Sequence, residues 1–151
     1  MPAQTFRLSR TSRRIAGLLL LSVTAIESGG YFLTRVSSGQ ETLTEFQQSF
    51  SRAGHGHAGV LVILSLVGVI LADAADLHGA LGYVARLGVP LGAVLMPLGF
   101  FLSSSTPGAT EPNGLVVLLW LGALSLAVGV VTLGIGLLRS SMRPDPDAPA
   151  A

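Results

Sequence analysis

Glu27, Tyr31, His55 and His57 are the side chains in this sequence best suited to chemistry. Glu27 stands in a long apolar run, about eight positions before Arg35. At about 1.5 Å of rise per helical residue, that sets it ~12 Å inside a membrane spanned by the run. A carboxylate at that depth costs on the order of 2.5–3.5 kcal/mol on insertion scales, so it has to face protein or water. Thr24, Tyr31, Thr34 and Arg35 recur around it at helical spacing, which predicts one polar seam turned into a helix bundle.

The other half of the constellation is Gly54-His55-Gly56-His57-Ala58-Gly59. Measured from Arg52, His57 falls ~7–8 Å deep, leaving about 5 Å of height to Glu27, a gap that two side chains bridge with Tyr31 between them. Residues two apart on a helix point nearly opposite ways, so both histidines turn inward only if the flanking glycines let the helix start unwind. His55, His57 and Glu27 would together make a donor set for a divalent metal. The same groups suit a proton relay, a haem or quinone contact, or a structural clasp between two helices. No nucleophile–base pair or phosphate loop accompanies them, so no catalytic residue is assigned and an accessory, non-enzymatic role is expected. Met96 reads as core filler rather than a haem ligand.

These residues need positioning elements, and composition says which kind. Half of the 151 residues are apolar and 11% are charged, too few to cover a water-soluble surface. The net charge of +1 gives no footprint for nucleic acid, and the absence of cysteine excludes disulfide scaffolds, thiolate metal sites and cysteine nucleophiles. Four stretches, at about 15–36, 54–72, 87–103 and 114–138, are long and apolar enough to cross a bilayer, and none alternates like a barrel strand. The expected fold is all-α: a polytopic membrane protein with four transmembrane helices in an up-down bundle. A basic tail (1–14) precedes the membrane domain (15–138), and a Pro-rich, disordered tail (139–151) follows it.

Arg7, Arg10, Arg13 and Arg14 precede the first span, Arg86 lies between the second and third, and Arg139 and Arg143 follow the fourth. Only Arg35 and Arg52 fall on the other side, so the positive-inside rule puts both termini in the cytoplasm of a bacterium's inner membrane. A competing reading takes the first stretch as a cleavable signal peptide with Val23-Thr24-Ala25 at its end, against which apolar residues resume at Tyr31-Phe32-Leu33. In the first outer connection Leu43, Phe46 and Phe50 follow a Thr42-to-Glu45 capping box, which predicts a short separate helix at the membrane interface. Asp73, Asp76, His78 and Arg86 read as solvated helix flanks.

Lipid gives helices no hydrophobic reason to associate, so packing has to come from small residues. Gly122, Ser125, Gly129, Thr132 and Gly136 form such a stripe along the fourth span, with shorter ones at Gly88/Gly92 and at Ser65/Gly68/Ala72. The long stripe serves packing within the chain or a homo-oligomer through the fourth span. Pro97 removes the amide that would bond the Ala93 carbonyl, which predicts a kink, whereas Pro90 reads as lying near its helix start, where proline costs little.

Glu27-Ser-Gly-Gly, the histidine-glycine element at 54–59, Met96-Pro-Leu-Gly-Phe-Phe and the glycine-rich last span resemble uncharacterised four-span bacterial plasma-membrane proteins with a G-H-x-H-A-G element. That resemblance implies no activity. The His-x-His is also similar to haem-binding helices of respiratory oxidase subunits, although no later span supplies a second histidine. Glu27, Gly30, Arg35 and Ser37-Ser-Gly39 resemble the first span of small multidrug transporters, which implies proton-coupled export by an oligomer. The chain departs from that group in its large first outer connection and its single tryptophan, Trp120.

Overall fold

The computed structural model describes residues 7–142 as an all-α bundle of four helices: α1 (Arg10–Ser37), α2 (Glu45–Ala74), α3 (Gly79–Ser103) and α4 (Val117–Ser141), the last entered through a 3₁₀ turn at Gly114–Val116. Each of the four is long and apolar enough to cross a membrane, which makes this a multi-pass membrane protein. The Pro-rich tail predicted from the sequence lies mostly outside the described residues, while Arg139–Ser141 is still helical.

The helices α1, α2 and α3 are longer than their apolar runs. Ser9 caps α1, its hydroxyl accepting from the Ser12 amide at 3.1 Å. The helix α2 starts at Glu45 and runs unbroken through the histidine-glycine element, so the separate interfacial helix predicted for Leu43, Phe46 and Phe50 is the first two turns of α2 itself. Its capping box is set two residues later than expected, on Thr44 and Gln47. The reason is packing: Phe46 stacks on Phe50 with centroids 4.3 Å apart, and Phe50 meets Phe100 of α3 edge-on at 5.4 Å. These rings have a protein surface to cover and stay in register with the span. Likewise α3 begins at Gly79, which leaves Pro90 inside the helix beside Pro97 instead of near its start.

Consecutive helices run antiparallel. The start of α1 and the start of α3 both bond Asp73 at the end of α2, and Gly136 near the end of α4 meets Leu77 in the α2–α3 turn. At the opposite end Gln47 of α2 bonds the segment after α3. The closest packing joins α3 to α4, and α2 lies across α3, whereas α1 rests mainly on α2. The small-residue stripe is the cause. A Cβ placed on Gly88 would lie 2.5 Å from the Gly129 α-carbon, and the Ser125 hydroxyl donates to the Gly88 carbonyl at 2.9 Å. Gly122, Gly129 and Gly136 are buried and Ser125 and Thr132 half-buried, so this stripe serves packing within the chain.

Two apolar clusters fill the interior. Leu19, Leu61, Val62, Ala93 and Met96 form the larger, and Met96 packs against Gly122 in the filler role expected of it. Ala72, Ala75, Ala85 and Leu133 form the smaller, near the end where α1 starts and α4 stops.

Candidate functional site: a lateral groove ending at His55

Because α1 touches α2 but barely touches α3, a cleft of about 470 Å³ opens between them. Leu18 and Gly29 of α1 line one side, Pro90 and Pro97 of α3 the other, and Val62 of α2 lies at the base. Its surface is aliphatic almost throughout. His55 is the one ionisable side chain among the described residues that line it.

Glycines set the position of that imidazole. A Cβ on Gly30 would stand a tight 3.2 Å from His55 Cε1, and one on Gly29 would be in ordinary contact, 3.5 Å from Nδ1, so the ring lies against the backbone of α1 at Gly30. The ring has no hydrogen-bond partner among the described residues. On the groove's α3 wall, Pro97 deprives the Ala93 carbonyl of its helical donor. The groove therefore combines an apolar body with an unpaired imidazole at its α2 wall.

His57 points elsewhere. The segment 54–59 is regular helix, without the unwinding considered from its glycines, and residues two apart diverge as helical geometry demands. The His57 ring lies 5.0 Å from Phe100, and Nδ1 is 2.8 Å from the Ala53 carbonyl. A carbonyl only accepts, so Nδ1 carries the proton and donates. Between them the two histidines contact α1 and α3, one each.

Glu27 corrects the sequence reading most sharply. It is exposed, as are Thr24, Tyr31 and Thr34, so the polar seam of α1 faces away from α2 rather than into the bundle. The inward face of α1 is apolar or small: Ile15, Leu19, Ile26, Gly29 and Gly30. Periodicity located the seam correctly but could not say which face α2 would choose. The predicted cluster of Glu27, Tyr31 and His57 does not form, and among the described residues no three His, Asp or Glu side chains stand close enough together to hold a metal ion.

A polar clasp does exist, at residues the sequence reading assigned to solvent. The Arg86 guanidinium donates to Asp73 Oδ1 through Nη2 at 2.7 Å and through Nε at 3.0 Å, and the two side chains are only 15% and 7% exposed. The Ser9 amide donates to Asp73 Oδ2 at 2.7 Å, and Arg86 Nη1 reaches the Leu77 and Gly82 carbonyls at 3.2 and 2.9 Å. One ion pair thus ties α1, α2, α3 and the turn between the last two. Its signal in the sequence was the opposite signs of Asp73 and Arg86 on either side of a short turn. Asp76 and His78, 3.5 Å apart, do sit in the open.

The comparisons with known proteins add no relative. No family model, no curated protein and no solved structure matches this chain. Function has to be argued from the groove itself.

Proposed function

We propose that this is a non-enzymatic membrane protein that holds a membrane-dissolved molecule in the groove between α1 and α3, with the polar head of that molecule on His55. The observation that carries this reading is the unpaired imidazole in a cleft otherwise lined by hydrocarbon. Binding sites of this kind pair a large apolar surface with very few placed polar groups. A quinone fits the description: a flat ring carrying carbonyl oxygens that accept a hydrogen bond, joined to a greasy tail that suits Leu18, Val62 and Val94. An ordinary acyl chain would fill the same volume but leave the imidazole unsatisfied.

The arginine distribution supports placing the protein in a bacterial inner membrane with both termini in the cytoplasm. In that orientation the His55 end of the groove lies toward the outer leaflet.

The test is saturable binding of a short-chain ubiquinone to the purified protein. His55→Ala is expected to weaken binding about 10-fold, the value of one lost hydrogen bond, and Gly29→Leu to weaken it by obstructing the groove. His57→Ala should leave it unchanged. Binding that does not saturate, or that is equal in the wild type and His55→Ala, would overturn the proposal.

A further inference from the structure

The outward face of α1 carries polar groups that none of the described residues covers. Gly17, Leu21, Thr24, Ser28 and Tyr31 are all exposed and follow one another at alternating steps of four and three residues. That is the spacing by which one helix seats against another in a left-handed pair. Glu27 borders this face, one turn before Tyr31, and Tyr31 is 67% exposed.

The hydrogen-bond inventory of the face is uneven. Ser28 gives its hydroxyl proton to the Thr24 carbonyl at 3.1 Å, and Thr34 gives its own to the Tyr31 carbonyl at 2.7 Å. Neither the Glu27 carboxyl nor the Tyr31 hydroxyl has a partner among the described residues. One turn of helix thus shows one unused acceptor and one unused donor to the surroundings. Within an apolar span, ionisable groups are driven to find protein partners, and lipid supplies none.

We infer that a second copy of this chain packs on the outward face of α1, with Tyr31 of each copy donating to Glu27 of the other. A two-fold axis along the membrane normal sets equivalent turns of α1 at equal height. The Cα–Cβ bond of a helical residue tilts toward the N-terminus, which brings the Tyr31 hydroxyl down toward the level of Glu27. The two-fold makes that contact twice, so a single surface patch is complementary to itself. Gly17, Thr24 and Ser28 let the backbones approach along the same line. A different protein would have to bring both a donor and an acceptor at this spacing, whereas a second copy has them already. The contact is separate from the groove, which lies on another side of α1.

The chain contains no cysteine, so single substitutions report cleanly on this arrangement. Leu21→Cys, Thr24→Cys and Ser28→Cys in the full-length protein, oxidised in native membranes, are expected to give cross-linked homodimers. Leu124→Cys and Val131→Cys, on the exposed face of α4, are expected to stay monomeric. Tyr31→Phe, combined with Thr24→Cys, should lower the dimer-to-monomer ratio about 3- to 10-fold, the range for two modest interhelical hydrogen bonds. Cross-linking strongest through α4, cross-linking only to an unrelated protein, or none at any α1 position with the protein present at normal yield would each overturn the inference. An unchanged ratio in Tyr31→Phe would overturn the Tyr31–Glu27 contact.

Discussion

Gly88 and Gly129 bring the backbones of α3 and α4 into contact: a Cβ on either would lie under 3 Å from main-chain atoms of the other helix. No flexible side chain stands in the way that could yield, so any added carbon has to part the helices. Gly88→Ala or Gly129→Ala is expected to destabilise the protein by about 1–3 kcal/mol, with Gly129→Leu worse. Gly134→Ala on the same helix meets nothing within 4 Å and should be neutral or slightly stabilising. Unfolding of purified protein by graded denaturing detergent separates the two outcomes.

The Asp73–Arg86 pair predicts a similar loss by a different mechanism. Removing one partner leaves the other charge largely buried and also frees groups on α1 and the α2–α3 turn. Asp73→Ala and Arg86→Ala should each cost about 3–5 kcal/mol, and the double substitution less than the sum of the two. Asp76→Ala, in the exposed pair with His78, is expected to change stability by under about 1 kcal/mol. A double-substitution cycle read by the same unfolding assay checks this.

Gln47 holds the opposite end. Its Nε2 donates to the Ser104 and Thr106 carbonyls, both at 3.0 Å, and its Oε1 accepts from the Thr44 amide at 3.1 Å. Gln47→Leu strands those groups at a cost of about 1–3 kcal/mol. The effect should be local. Faster amide exchange at Ala109 and Asn113, whose N–H groups close the adjoining loop, is the expected readout, with little change in α1.

The spans, their number and the glycine stripe of α4 were legible because each follows from length, apolarity and residue size at fixed helical periods. The orientation of Glu27 was not. A seam is visible in one helix, but the side it presents depends on the neighbour, and α2 chose the face with Gly29, Gly30 and Ile26. Gly29 and Gly30 let the His55 ring of α2 lie against the backbone of α1 there. The reading of Asp73 and Arg86 failed for a related reason. Residues at a helix end are assumed solvated, yet here the end of α2 is roofed by the start of α1, whose Ser9 and Ser12 supply polar partners. Phe46 and Phe50 gave a correct helical period but no hint that Phe100, distant in sequence, would cover them.

The divergence of the two histidines has a spectroscopic consequence. His57 has a fixed acceptor, the Ala53 carbonyl at 2.8 Å, which holds its proton on Nδ1. His55 has no such anchor among the described residues. In ¹⁵N-histidine spectra of the neutral protein, one residue should therefore show a locked Nδ1–H tautomer, and that signal should vanish in His57→Ala but persist in His55→Ala. Adding a quinone should shift the His55 resonances and leave those of His57 in place. Both histidines responding together would mean that the start of α2 unwinds in solution and turns the two rings to one side.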